Sequence, residues 1–226
     1  MPSGPRWFVV QHVPHEGPGA VGEALISAGH DVSLVRVDQG DELPGVDELG
    51  DMAGLVVMGG PMGVHDDATF PWLAHERRLL AAAVQAEIPI LGICLGAQQL
   101  ALALGGQVTT GPEEEIGVGQ VRLTDRGLED PVFGPAGAAL PCLHWHGDTF
   151  SLPEGGVLLA GNEHYPHQAF RSGQRAYGLQ FHVELTPALA EGWRSHLPAG
   201  VTIGADDADR ISAQGRPLVA RFIALA

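Results

Sequence analysis

Apolar residues follow two rhythms along the first half of the chain. Unbroken runs at residues 7–13 (WFVVQHV), 30–37 (HDVSLVRV), 55–58 (LVVM) and 89–93 (PILGI) alternate with stretches whose apolar residues recur at helical spacing. Unbroken β-branched runs predict strands buried on both faces, and the second rhythm predicts helices over residues 19–28, 71–86 and 95–104. Gly29 and the pair Gly105-Gly106 supply helix stops, and Pro71 supplies a start. Strands alternating with helices imply an α/β fold. We expect an open, mostly parallel, flavodoxin-like sheet with helices on both faces and right-handed crossovers.

The rhythm breaks after Gly106. Between residues 106 and 171 the apolar runs are short, for example 120–123 and 157–160, and Gly and Pro split them. Such punctuation predicts hairpins and an antiparallel extension of the sheet. A strand pattern returns at 176–182 (AYGLQFH), a helix is expected at 187–196, and another at 206–225 that Gly215 and Pro217 should interrupt. There is no internal repeat or linker-like stretch, so residues 1–226 are expected to form a single domain.

Composition narrows the functional classes. With 226 residues and 45% hydrophobic content, the chain can bury a core without disulfides or a structural metal. A formal charge of −15 argues against nucleic acid or an anionic membrane as partner. The 2 cysteines, Cys94 and Cys142, sit in unlike contexts, matching neither a disulfide framework nor paired zinc ligands. Polar residues such as Glu87, Gln98 and Gln99 cut the longest apolar stretches, and no signal-peptide pattern opens the sequence. A soluble, cytoplasmic protein is the expectation.

The sharpest chemical signal is Gly92-Ile93-Cys94-Leu95-Gly96, at the junction of a predicted strand and helix. A Gly-x-nucleophile-x-Gly turn holds its nucleophile in a tight, strained backbone position at the C-terminal edge of the sheet, where open α/β sheets bind ligands. It also sets the sulfur at a helix N-terminus, which favours negative charge, with the Leu95 amide aimed where an oxyanion would form. Alone, such a cysteine also admits the plainer reading of a small buried residue. It needs partners. His182 and Glu184 share one face of an extended segment, because residues two apart point the same way. A carboxylate beside an imidazole fixes its tautomer and stabilises the imidazolium. Gly59-Gly60-Pro61, after the strand LVVM, is a tight turn whose amides can approach a ligand closely.

Together the stretches MGGPMGVHDD, PILGICLGAQQLALALGG and YGLQFHVELTP resemble class I, triad-type glutamine amidotransferases, particularly stand-alone members similar to the glutaminase part of GMP synthase. HWHGDTFSLPEG and HYPHQAFR are similar to the same subgroup, and the resemblance runs over roughly residues 7–196. It implies Cys94 as nucleophile, His182 as general base and then acid, and Glu184 as its orienter. It further implies an oxyanion hole from the amides of Gly60 and Leu95, with Gly59, Gln98, His146 and Asp148 around the substrate. The family commonly carries Pro between the His and the Glu; here Val183 stands there, with its side chain expected to point away from the pocket.

The implied reaction is hydrolysis of the L-glutamine side-chain amide, with no cofactor, the protein either feeding ammonia to a separate synthetase subunit or acting alone. A γ-glutamyl hydrolase acting on γ-glutamyl compounds would use the same triad on another leaving group. A non-enzymatic relative would not need the triad intact. A metal at His144-Trp145-His146-Gly147-Asp148 is not expected, since that segment lacks a third and fourth ligand. His164 and His167 are expected in a turn that could border the substrate, and His65, Asp66 and Asp67 are expected to shape the loop after the Gly-Gly turn. Cys142 is expected to be structural, and Trp72, Trp193 and Phe222 to belong to the core.

Overall fold

The structure is a computed structural model that describes residues 5–226. Its parallel half follows the predicted alternation. Strands β1 (Arg6–Gln11), β2 (Val32–Arg36), β3 (Met52–Val57) and β4 (Ile90–Ile93) are joined by α1 (Gly19–Ser27) and α2 (Trp72–Gln85), while α3 (Leu95–Ala103) follows β4. The next elements are β5 (Val108–Leu123), the short helix α4 (Asp125–Glu129), β6 (Ala139–Phe150), β7 (Val157–Gly161), β8 (Ala169–Ser172) and β9 (Ala176–Leu179). Helices α5 (Pro187–Trp193) and α6 (Ala205–Ile223) close the described chain.

The nine strands of the described residues form one mixed sheet in the order β2-β1-β3-β4-β9-β8-β7-β5-β6. Strands β2, β1, β3, β4 and β9 pair in parallel, and β9, β8, β7, β5 and β6 pair antiparallel. Alternation along β1 explains why both faces are covered. Trp7 and Val9 enter a core built with Val21 and Leu25 of α1 and Leu218, Val219 and Phe222 of α6. Phe8 and Val10 enter the opposite core, with Leu73, Leu80 and Ala83 of α2 and Leu100 of α3. Each fully buried large apolar side chain contributes roughly 1.5–3 kcal/mol to folding, so these layers hold the strand ends in register.

Three expectations need correction. The short piece expected at 157–160 is β7, but the piece at 120–123 is the end of a 16-residue strand, β5, which pairs with the 12-residue β6. Their ladder runs through Gly117, Gly119 and Pro141 and absorbs the remaining irregularity in a register shift between Thr110 and Glu115. Cross-strand pairing decides this segment, overriding local propensity. Second, the strand expected over 176–182 ends at Leu179, and His182 instead bridges antiparallel to Leu143 of β6. Third, α6 runs without a break through Gly215 and Pro217. Pro217 is exposed, so the carbonyl it cannot bond meets water, and the buried Leu218, Val219 and Phe222 hold the helix down. Among the described residues, no helix is long and apolar enough to cross a membrane.

Candidate active site

Cys94 sits between β4 and α3 with φ 52° and ψ −108°, a backbone conformation that side-chain-bearing residues rarely adopt. Close packing on both sides sustains it. A Cβ on Gly92 would lie 2.5 Å from the Gly96 carbonyl oxygen, and one on Gly96 would lie 2.1 Å from that of Val57. The Cys94 amide donates to the Leu179 carbonyl at 2.7 Å, tying the turn to β9. The strain therefore has a structural origin: the turn is wedged between the ends of β3 and β9.

Beyond β9 the chain carries His182 and Glu184 to the same place. His182 and Leu143 exchange backbone hydrogen bonds of 2.8 and 3.2 Å, so β6 fixes the imidazole's height above the sheet. The Glu184 carbonyl accepts from the Ala20 amide at 2.9 Å, at the N-terminus of α1. On the other side Gly215 of α6 lies so close to Val183 that a Cβ would come 2.1 Å from the Val183 carbonyl oxygen. The Val183 side chain is fully buried in the core with α6, away from the cavity. His182 Nδ1 donates to Glu184 Oε1 at 2.7 Å, with both side chains 1% exposed. Burial alone would depress this imidazole, but the charge and hydrogen bond of Glu184, together with the Cys94 side chain, outweigh it. His182 is held well above the ordinary histidine value. Thiol, imidazole and carboxylate thus stand in sequence, the order needed to pass a proton from sulfur to nitrogen while a carboxylate steadies the cation.

A cavity of about 300 Å³ opens over the sulfur. Its wall includes Gly60, Cys94, Gln98, Trp145, His146 and Asp148. The Cys94 thiol donates to the Trp145 carbonyl at 3.7 Å. Gln98 reaches Gln180 at 3.2 Å, and Gln180 in turn donates to the Cys94 sulfur at 3.8 Å. Both ring nitrogens of His146 are engaged: Nδ1 donates to the Asp148 carbonyl at 3.0 Å and Nε2 faces Glu115 Oε2 at 3.0 Å. It lines the cavity without a free ring nitrogen. Gly59 is not in the wall; its carbonyl accepts from His12 Nδ1 at 2.8 Å. His65, Asp66 and Asp67 lie where the loop was expected. Asp66 accepts from the Gly63 amide at 2.8 Å, and Asp67 is gripped by both oxygens from Arg77. Trp193 and Phe222 are fully buried, and Trp72 is half-buried against His12.

Folding adds a third group to the HWH segment. Glu115, on β5, brings its carboxylate to His144 and His146, and the three ligand atoms lie within 4.8 Å of one another. Glu115 also accepts from Asn162 and Gln168, each at 2.6 Å, so its oxygens are occupied by protein donors. Burial lowers His144 to about 4, against the pull of Glu115. These groups form a buried polar cluster that ties β5 to β6 behind the cavity, with His144 Nδ1 3.2 Å from Glu115 Oε2 and the Gln168 side-chain oxygen without a hydrogen-bond partner. Burial and Glu115 push the neighbouring Cys142 thiol well up, as suits an inert structural cysteine. A larger groove of about 780 Å³ runs along β5 and reaches Glu115 and His144, but its lining carries no cysteine.

Several site residues carried no signal in the sequence. Trp193 stacks edge-on against His182 with centroids 5.0 Å apart, and its indole donates to the His15 carbonyl. Glu16, 8% exposed, packs against Gly59 and feels the charges of His182, Glu184 and His12; burial raises its carboxyl above the usual range. His12 and Glu76 form a buried pair at 2.8 Å. All four reach the site from loops or helices that are distant in sequence, so no local motif announces them.

A strained cysteine at the C-terminal edge of the parallel strands, faced by a buried His–Glu pair just beyond the neighbouring strand β9, is the arrangement of an α/β protein of the amidotransferase kind. Residues 20–192 match the family Glutamine amidotransferase class-I, and the chain belongs to that family. It is 36% identical over 194 residues to the glutamine amidotransferase-like protein YfeJ of Salmonella typhimurium, covering 84% of this chain and 80% of that one. It is 35% identical over 141 residues to the glutamine-hydrolysing GMP synthase of Porphyromonas gingivalis, spanning 62% of this chain and only 26% of that protein. Among solved structures, a glutamine amidotransferase from Thermotoga maritima superposes with a TM-score of 0.84 at 28% identity, covering 97% and 98% of the two chains. One from Methylobacillus flagellatus superposes at 0.86 with 30% identity, covering 98% and 95%.

Proposed function

We propose that the protein hydrolyses the side-chain amide of L-glutamine, with Cys94, His182 and Glu184 as catalytic residues and a separate synthetase as ammonia acceptor. The observation that carries this reading is the buried His182–Glu184 hydrogen bond beside a cysteine held in the left-handed region. His182 accepts the Cys94 proton while its Nδ1–H stays on Glu184. The thiolate attacks the amide carbon, and the oxyanion is stabilised by the backbone amides of Gly60 and Leu95. The imidazolium then gives its proton to the leaving nitrogen and ammonia departs, leaving a γ-glutamyl thioester. Water loses a proton to His182 and attacks the thioester; collapse returns the proton to sulfur and releases glutamate. In this reading Gln98 and Asp148 meet the amino-acid end of the substrate, a role supported by their both lining the cavity.

Incubation with L-glutamine tests this, with glutamate and ammonia measured together. Equimolar release that vanishes in Cys94→Ala is expected. Release that persists in that variant overturns the mechanism. Wild-type protein that ignores glutamine but cleaves a γ-glutamyl dipeptide moves the substrate to the γ-glutamyl class while keeping the triad.

A further inference from the structure

An oxyanion hole built on two consecutive glycines has an intrinsic weakness. Gly59 and Gly60 have the softest backbone torsions of any residues, so the peptide between them can rotate at little steric cost. In a trans peptide the C=O and N–H point in opposite directions, and no described peptide is cis. Whatever holds the Gly59 carbonyl therefore also aims the Gly60 N–H. Gly59 lies beyond the last residue of β3 and is buried, while Gly60 is half-buried and lines the cavity with Cys94. A buried carbonyl without a donor would gain by turning toward the open cavity. That rotation would take the Gly60 N–H out of the cavity and put a carbonyl oxygen in its place.

We propose that His12 and Glu76 are positioning residues that lock the Gly59–Gly60 peptide, keeping the Gly60 N–H directed at the Cys94 cavity. His12 Nδ1 donates to the Gly59 carbonyl at 2.8 Å, and His12 Nε2 meets Glu76 Oε2 at 2.8 Å. Both side chains are 0% exposed. A carbonyl can only accept, so Nδ1 carries a hydrogen. Nε2 and Glu76 Oε2 hold one further proton between them, and with that proton on nitrogen the pair is an imidazolium on a carboxylate. The local charges agree. Burial alone would depress His12, but the charge and hydrogen bond of Glu76, then the Gly59 carbonyl and Glu16, outweigh it and raise the imidazole. The ring cannot tilt, because Trp72 stacks on it at 5.0 Å with only 16° between the planes.

Stability alone is a poor reason for this pair. Glu76 Oε1 is buried with no hydrogen-bond partner, and an apolar pair of the same shape would avoid that penalty. The pair stands outside the catalytic triad: Glu76 and Trp72 belong to α2, and His12 follows β1. The lock thus couples the first turns of α2 to the geometry of the cavity. It rests on the reading of Gly60 as an oxyanion donor, given above.

The test compares His12→Phe/Glu76→Leu, which removes the donor and leaves no buried charge, with His12→Asn, whose side-chain amide can reproduce the Nδ1 donor. Alkylation by iodoacetamide forms no oxyanion and counts competent Cys94, so rates are expressed per alkylatable thiol. Loss of one oxyanion donor lowers kcat by roughly 10²–10³-fold, and that loss, with KM little changed, is expected for the double variant. His12→Asn should recover most of it. Unchanged kcat per alkylatable Cys94 in the double variant would leave the pair a merely structural one and overturn the proposal. So would a crystal structure of that variant with the Gly59–Gly60 peptide unmoved. Wild-type protein inert toward glutamine and γ-glutamyl dipeptides alike would instead overturn the parent reading, and the peptide's orientation in the two crystal structures still decides the lock.

Discussion

At the scale of single residues, the site is a set of charges whose burial only makes sense in combination. Glu184 holds the His182 imidazole with a 2.7 Å hydrogen bond while both are nearly sealed from water. Glu184→Gln keeps the shape but removes the charge that stabilises the imidazolium and selects its tautomer. By analogy with other triads, kcat should fall by up to about 10⁴-fold while iodoacetamide still labels Cys94. Steady-state kinetics beside a labelling time course checks this. Titration makes a second prediction. The folded-state value of His182 is raised, so its contribution to stability is full below the ordinary histidine value and is lost as pH climbs through the raised one. The melting temperature of the wild type should therefore fall across that alkaline window, and more steeply than that of Glu184→Gln. Glu16 behaves in the same direction for a different reason: burial raises its carboxyl, so ionisation at neutral pH works against folding. Glu16→Gln should melt higher than wild type at pH 7 and no higher below the ordinary carboxylate value, as differential scanning calorimetry at the two pH values will reveal.

At the scale of elements, two close approaches carry the geometry. The elbow exists because α3 starts directly against the end of β3, with Gly96 touching Val57. The His182–Glu184 segment exists because α1 and α6 grip it from two sides, the first through the Ala20 amide and the second through Gly215 against Val183. Gly215→Ala would press a methyl into the Val183 carbonyl. Overpacking of this kind costs about 1–3 kcal/mol, and here the strain falls on the residue between His182 and Glu184. Lower stability in urea is expected together with a drop in kcat per alkylatable Cys94. A stable variant with wild-type kcat would show that α6 does not brace the site. Gly215 looked like a helix breaker from sequence alone, since a glycine in a helical pattern weakens it. Its actual role, contact without a side chain, is a property of two elements and has no trace in either one's own periodicity.

At the scale of the molecule, the parallel and antiparallel halves share one sheet, joined where β9 pairs with β4 on one edge and β8 on the other. The cavity lies at that junction: Cys94 comes from the parallel half, and Trp145, His146 and Asp148 from β6 of the antiparallel half. The described residues should therefore unfold as one unit. Far-UV circular dichroism and the fluorescence of Trp145 and Trp193 are expected to report superimposable urea transitions, and separated midpoints would mean the extension melts on its own. Much of this was already written in the chain. The β1–α3 alternation, the strand-to-helix turn around Cys94 and the facing of His182 with Glu184 are local facts. They depend on periodicities of 2 and 3.6 and on glycine spacing, which any short window of sequence contains. The full length of β5 and β6, the end of β9 at Leu179, the continuity of α6, and the arrival of Glu16, His12, Glu76 and Glu115 beside the site were decided only by tertiary structure. Each depends on a partner far away in sequence. A long-range pairing can extend a strand through Gly and Pro, and an apolar face can hold a helix through Pro217. A buried charge is tolerated only where another element brings its counter-charge, and none of these choices is visible until the chain has folded on itself.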